Sequence, residues 1–319
     1  MSFSSEVKEE LIRVVNTARH CQIAEIAAIV GLCGRVQITE FDEYRLLVHT
    51  ENSGVARKYY SLLKEAFQIT ASLLIKRNIY LKKAHTYIVK IDNHDEAVRV
   101  LKATKLMDSH GEVGGEISQI NHFVLQRECC KRAFIRGAFL AAGSISDPEK
   151  SYHFEIVCTY EEKAKQLQEI INTFHLDAKI VLRKKYYVVY IKEGAMLVDM
   201  LNIMEAHVSL MKLENVRILK DMRNSVNRRV NCETANINKT VSAAMKQVED
   251  IKYIEETIGF EQLSDGLAEI AKLRLSQPEA TLKELGAMLN PPVGKSGVNH
   301  RLRKLSNMAD DLREERQGN

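Results

Sequence analysis

The sequence predicts an α+β protein in which a duplicated αββαββα domain is followed by an all-α helix-turn-helix domain. Two observations carry the first half of this reading and one carries the second. Sliding the 319-residue chain over itself gives one informative register, an offset of 109 (130 − 21). It pairs CQIAEIAAIVGLCGRV, residues 21–36, with CKRAFIRGAFLAAGSI, residues 130–145. The same register then aligns β-branched, alternating segments: LLVHT (46–50) with EIVCT (155–159) without a gap. With small shifts ASLLIKR (71–77) meets AKIVLRK (178–184), and YIVKI (87–91) meets YVVYI (187–191). Near the carboxyl end, three short helical patterns in succession, separated by a capping signal and a proline pair, carry the second half.

The elements follow in chain order. Residues 1–19 predict an amino-terminal helix, 20–107 the first repeat, 108–125 a linker, 126–224 the second repeat, 225–258 a basic linker and long helix, and 259–319 the helix-turn-helix domain. Within each repeat, one helix lies between the strand pairs. Its apolar face is Val55, Tyr59, Leu62, Leu63 and Phe67 in the first copy and Ala164, Leu167, Ile170, Ile171 and Phe174 in the second. The connection DSHGEVGGEISQ, 108–119, has neither the spacing of a P-loop nor that of a dinucleotide fingerprint, so a linker is expected.

The stretch FIRGAFLAAGSI (134–145) is a nearly uncharged helix containing glycine. Each interior glycine costs up to about 1 kcal/mol relative to alanine, which points to close backbone contact or a helix end. A duplication supplies the contact. The equivalent helices of the two repeats are expected to cross at a pseudo-twofold axis, with Ala28, Gly31 and Gly34 from one and Gly137, Ala141 and Gly143 from the other as interface residues.

Composition bounds the function. A 45% hydrophobic content suffices for a large core, and a net charge of +4 permits nucleic-acid binding without requiring it. The opening MSFSSEVKEE places acids where an export signal needs basic and then apolar residues, and the apolar run 26–34 is far shorter than a membrane span, so a cytoplasmic setting without membrane insertion is expected. Six cysteines without a C-x-x-C pair lead us to expect free thiols and neither metal nor cofactor.

From Met211 to Arg229 six basic residues face two acids, and Asn231–Gly259 carries Val241, Ala244, Val248, Ile251 and Ile254 at helical spacing. Ser264–Ser276 predicts a helix with Leu267, Ile270, Ala271 and Leu275 inward. TLKE at Thr281–Glu284 predicts a capping box that opens a short helix through Leu289, and Pro291 and Pro292 stop it. Ser296 is expected to cap a third helix with the buried stripe Val298, Leu302, Leu305, Ala309 and Leu312. Its opposite side carries Ser296, His300, Arg303 and Asn307, with Asn299 and Lys304 flanking. A basic, amide-bearing face on the second element of such a motif suits the major groove of double-stranded DNA, where arginine pairs with guanine and asparagine with adenine. The candidate DNA contacts are Lys295, Ser296, Asn299, His300, Arg301, Arg303, Lys304 and Asn307, together with Arg228 and Arg229. GKS at 294–296 lacks the first glycine and the preceding strand of a P-loop.

The paired helices ending in glycine, each followed by a β-hairpin, resemble the LAGLIDADG homing-endonuclease fold. IAAIVGLCG (26–34) and IRGAFLAAG (135–143) occupy its motif. The resemblance implies that the residue before the last glycine is a metal-holding acid; here Cys33 and Ala142 stand in those positions. Neither replaces a carboxylate as a ligand for Mg²⁺, so no catalytic residue and no nuclease activity are expected. With SFSSEVKEEL, VNRRVNCETANINKTV and LKELGAMLNPPVGKSGVNHRLRKL, the whole chain is similar to the WhiA family of bacterial DNA-binding proteins. That resemblance implies a nucleoid-associated cytoplasmic regulator in Gram-positive bacteria, connected with sporulation, cell division and chromosome segregation, and no catalysis. The duplicated domain is then left with either nonspecific DNA contact or the docking of a protein partner. Lys76, Lys184 and Lys185 speak for DNA, Glu40 and Glu155 against it. Two other readings stay open: a scaffold for division or transcription factors with secondary DNA binding, and a residual enzyme using His20, His49 or the Cys129–Cys130 pair.

Overall fold

The computed structural model describes residues 2–77, 85–107 and 122–317. Stretches 78–84 and 108–121, which hold most of the longer excursion of the first repeat and most of the expected linker, lie outside the described residues. The last four residues of that expected linker, His122–Leu125, form a 3₁₀ turn that buries Val124 and Leu125. The chain divides into two compact units, residues 1–220 and 221–319.

The first unit opens with α1 (Phe3–Arg13). One repeat follows as α2 (Arg19–Cys33), β1 (Gly34–Ile38), β2 (Tyr44–Thr50), α3 (Ser53–Phe67), β3 (Ser72–Arg77), β4 (His85–Ile91) and α4 (His94–Ala103). The other is α5 (Glu128–Ala142), β5 (Gly143–Ile145), β6 (Phe154–Cys158), α6 (Glu161–Asn172), β7 (Lys179–Arg183), β8 (Tyr186–Ile191) and α7 (Gly194–Met204). Each repeat therefore has the αββαββα order that the self-similarity predicts. Its antiparallel sheet runs β1-β2-β4-β3 in the first and β5-β6-β8-β7 in the second. Equivalent pairs hold equivalent registers, Val48 opposite Val89 and Ile156 opposite Val189, and these apolar partners cover the buried helices. This sets Val48 against Ile156, one residue short of the ungapped alignment of 46–50 with 155–159, because the buried alternation falls on Leu46 and Val48 in one copy and Phe154 and Ile156 in the other. Local chemistry starts the helices: the Asn52 carboxamide accepts from the amides of Gly54 and Val55, and Asn93 accepts from that of Glu96. Such caps are each worth about 1 kcal/mol.

α2 and α5 are buried on nearly every side and pack against each other along the centre of the unit. Their terminal glycines serve a steric purpose. Gly34 and Gly143 have ordinary extended backbone, but a Cβ would stand 2.3 Å from the Val30 carbonyl oxygen and 2.3 Å from the Phe139 ring, so each chain turns from helix into strand with no loop. Gly137 lies in the crossing itself. A Cβ there would sit 2.6 Å from the Glu25 carbonyl oxygen and 3.0 Å from Ala28 Cβ.

Beside that contact lies a charge cluster that the sequence pattern hides. Arg136 is 1% exposed and Glu25 is 0% exposed. The guanidinium donates to Glu25 Oε2 from Nη2 at 3.1 Å, and to Glu205 Oε2 from Nη1 at 2.9 Å. Lys58 Nζ lies 3.8 Å from Glu25 Oε1 and donates to the Val14 carbonyl, while Asn16 Nδ2 donates to Glu25 Oε2 at 3.2 Å. Burial lowers the Lys58 pKa, and Glu25 works against that shift.

α8 (His207–Thr257) is one continuous 51-residue helix, with residues up to Lys220 in the first unit and the rest in the second. The basic stretch expected to link the domains is helical throughout, since residues 207–257 contain no glycine or proline to stop it. In the second unit α9 (Asp265–Ser276), α10 (Leu282–Met288) and α11 (Lys295–Gln317) close a core of Ile251, Ile254, Leu267, Ile270, Leu285, Val298, Leu302 and Leu305. Val241, expected on the buried stripe of the long helix, is 50% exposed. Leu275 is only partly buried, and Arg274 takes the inward place on α9, donating to the Ala280 carbonyl at 2.7 Å.

Gly137→Ala should lower the unfolding free energy by on the order of 1–3 kcal/mol, because the added methyl overpacks a crossing of two backbones. Denaturant unfolding checks it, and an unchanged midpoint would remove the steric role given to this glycine.

Candidate nucleic-acid interface

The carboxyl-terminal site is built from a cap, a turn and a helix face. Thr281 accepts from the Glu284 amide at 3.3 Å while Glu284 Oε2 accepts from the Thr281 amide at 2.7 Å, the reciprocal capping box that fixes the start of α10. The turn then doubles back on its own helix. The Val293 amide donates to the Gly286 carbonyl at 2.9 Å, and a Cβ on Gly286 would stand 2.1 Å from the Val293 oxygen. The Asn290 amide also donates to Glu269 Oε1 at 3.2 Å, tying the turn to α9.

α11 begins at Lys295, with the Val298 amide donating to the Gly294 carbonyl at 3.0 Å. This corrects the expected cap: Ser296 lies inside the first turn, and Gly294 ends the preceding loop. Val298, Leu302, Leu305 and Ala309 are buried, whereas Lys295, Ser296, Asn299, His300, Arg303, Lys304 and Asn307 are exposed. Arg301 departs from that group. Its position is one step of the helix from Leu302, on the edge of the buried stripe, and its Nη1 donates to the Gly266 carbonyl of α9 at 3.4 Å. Arg228 and Arg229 are exposed on α8.

Of a second basic surface, sequence reasoning named Lys76 alone and missed its neighbours. On the sheet of the first repeat, the face turned away from the helices carries Arg35, Arg45, His49 and Lys76, as the pairing of Arg35 with Leu47 and of Lys76 with Thr86 requires. His49 titrates below its ordinary range, chiefly through burial, with Arg35 and Lys76 adding repulsion. Lys90 on the same face is neutralised by Asp92. The alternation of strand residues was the available signal; it assigns Arg35, Arg45 and Lys76 to one side once the register is known. The second sheet is more balanced. Glu155 is held by His153 at 3.0 Å, Ser144 at 3.1 Å and Arg183 at 3.3 Å, and Lys184 and Lys185 form the β7–β8 turn. Glu40 is exposed in the β1–β2 turn.

Between the two glycine-ended helices, Cys33 Sγ donates to the Ala141 carbonyl at 3.4 Å. Burial pushes this thiol up to about 11, against the pull of the Lys8 ammonium from α1. Lys8 Nζ lies 5.7 Å from the centre of the Phe139 ring. Cys33 and Ala142 thus put a neutral thiol and a methyl group where the resemblance calls for two acids, with the Lys8 side chain close enough to act on Cys33. Of the residues weighed for a residual enzyme, His49 lies in the basic sheet face, while His20 and the vicinal cysteines lie together at the other end of the central helices.

Comparison with known proteins matches all three parts of this architecture. Residues 19–107 match the WhiA N-terminal LAGLIDADG-like domain, 131–223 the WhiA LAGLIDADG-like domain, and 226–309 the WhiA C-terminal HTH domain. A probable cell division protein WhiA from Lachnoclostridium phytofermentans is 58% identical over 98% of this chain and 100% of its own length. One from Alkaliphilus oremlandii is 47% identical over 98% of each. Among solved structures, full-length DUF199/WhiA from Thermatoga maritima has the same fold, with a TM-score of 0.60 at 24% identity over 98% of this chain and 99% of that one. The duplicated glycine-ended helices, the two antiparallel sheets and the capped terminal helices are those of the WhiA family, to which this chain belongs.

Proposed function

We propose that the chain is a sequence-specific, non-catalytic DNA-binding regulator that reads bases with α11 and holds phosphates with the basic face of its first sheet. The observation that carries the reading is the division of α11: one side is fully committed to the core, while Arg303, Asn307, His300 and Asn299 stand exposed on the other. Arginine and asparagine at such a face match the bidentate edges of guanine and adenine, and Lys295 beside the helix start suits a phosphate. Arg301, bound to α9, sets the face without reading it.

The first sheet favours DNA over protein docking for the duplicated domain, since Arg35, Arg45 and Lys76 line one face and the neighbouring acid, Asp92, is held by Lys90. Loss of nuclease chemistry fits Cys33, Ala142 and the nearby Lys8, which repels a divalent cation where catalysis would need one. We assign the action to the nucleoid in the cytoplasm, in cell division, chromosome segregation or sporulation, as the names of the relatives and the family resemblance suggest. Among the described residues no helix is long and apolar enough to cross a membrane.

Footprinting with purified protein tests the base-reading role. Arg303→Ala and Asn307→Ala should each weaken specific binding by on the order of 1–3 kcal/mol and relax sequence preference, and Mg²⁺ should leave the bound DNA uncut. Unchanged protection by both variants, or cleavage by the wild type, would overturn the assignment. A second measurement addresses the sheet. The His49 imidazole, followed by NMR, should titrate below an ordinary histidine in the free protein and move upward when DNA is added, because phosphates offset Arg35 and Lys76. A titration unmoved by saturating DNA would place the duplex elsewhere.

A further inference from the structure

The pseudo-twofold axis gathers a set of side chains that neither the spacing of the cysteines nor the DNA-binding reading accounts for. The offset of 109 that aligns the repeats sets His20 against Cys129 and Cys21 against Cys130 (20 + 109 = 129; 21 + 109 = 130). Each pair occupies the first turn of its helix, α2 from Arg19 and α5 from Glu128. The fold brings both turns together. One ligand atom from each of the four residues lies within 4.8 Å of every other, and His20 Nδ1 is 3.2 Å from Cys130 Sγ and 3.3 Å from Cys21 Sγ. Cys21 and Cys130 are buried, His20 is half-buried, and Cys129 reaches solvent. All three thiols are free.

We propose that His20, Cys21, Cys129 and Cys130 form a tetrahedral Cys₃His site for a zinc ion that staples the two repeats together at the starts of their central helices. With Zn–S near 2.3 Å and Zn–N near 2.0–2.1 Å, tetrahedral angles set the ligand atoms roughly 3.5–3.8 Å apart, within the span they already occupy. Three thiolates and an imidazole select zinc or another borderline ion over Mg²⁺ or Ca²⁺, which require oxygen donors. Neither helix start has a side-chain cap, so the positive ends of two helix dipoles converge on the cluster and favour an anionic centre there.

The proton balance follows from the contacts. Arg127 Nη1 lies 3.3 Å from His20 Nε2. A guanidinium only donates, so Nε2 accepts from it and Nδ1 carries the proton that faces the sulfurs. Zinc on Nδ1 requires the other tautomer: that proton moves to Nε2, and the Arg127 head turns aside while remaining near enough to offset charge. Binding of Zn²⁺ then releases three thiol protons and leaves a centre of net charge −1. Because three protons leave on binding, affinity should fall as pH is lowered. Because vicinal His-Cys and Cys-Cys pairs from opposite ends of a duplication supply the ligands, no C-x-x-C spacing announces them.

The full-length chain, purified under reductant, tests the site by metal analysis and Co²⁺ titration. The expected result is one zinc per chain and, with cobalt, thiolate-to-metal charge transfer in the near ultraviolet with intense tetrahedral d–d bands. Cys129→Ser, at an exposed position, should keep the fold by circular dichroism while losing about one third of the charge-transfer intensity, since one of three thiolates is gone. Cys232→Ser, at the exposed cysteine of α8, should change nothing. A folded, reduced wild-type chain with no tetrahedral cobalt spectrum would overturn the proposal. So would a spectrum insensitive to Cys129→Ser, or a Cys21–Cys130 disulfide in protein isolated with its thiols trapped.

Discussion

The architecture depends on the crossing of α2 and α5, where the backbone of one repeat meets that of the other at Gly137 and the Glu25 carbonyl. Close approach alone would allow the helices to slide or rotate, since small apolar residues specify position weakly. The Arg136–Glu25 pair removes that freedom. Taking both charges out of water is costly, and their attraction offsets the cost only in one geometry, with Glu205 accepting a second bond from Arg136, Asn16 donating to Glu25 Oε2, and the Lys58 ammonium facing Glu25 Oε1 at 3.8 Å without a hydrogen bond. One polar contact in a seam of alanine and glycine thus fixes the register of two otherwise similar halves.

From that register the rest of the first unit follows. Each central helix passes through a glycine directly into its sheet, so the orientation of the helices sets the orientation of the strands, and with it the side on which Arg35, Arg45 and Lys76 appear. The same axis gathers His20 and three cysteines at the starts of the helices, and Cys33 with Lys8 near their ends. A scaffold with symmetric ends can lose chemistry at one and keep a structural task at the other. The packing demands at the crossing are independent of which side chains precede the terminal glycines.

Much of this organisation was legible in the residues. The duplication, six of the eight strands, the capping box and the buried stripe of α11 rest on local periodicity and caps, which act over a few residues and survive in any context. What escaped depends on contacts distant in sequence. Arg136 reads as a lone charge in an apolar stretch, and its burial is explained by Glu25, 111 residues away, and by Glu205. Arg301 sits among exposed basic residues in the sequence, but Gly266 on another helix claims it. Ser296 is a good cap by type, yet the chain enters its helix two residues earlier, at Gly294. The cysteines seemed unrelated because their partners lie across the axis, and α8 seemed interrupted because a basic run suggested a linker where only helix-compatible residues stand.

A double-mutant cycle between Glu25 and Arg136 tests the central claim most directly, using Glu25→Gln, Arg136→Met and the pair. The account predicts that each single change lowers the unfolding free energy by about 3–5 kcal/mol, since each leaves a buried group unmatched. It further predicts that the pair loses less than the sum, by roughly 1–3 kcal/mol. Losses that add to within about 0.5 kcal/mol would show the two residues to be energetically independent, and the register of the repeats would need another source.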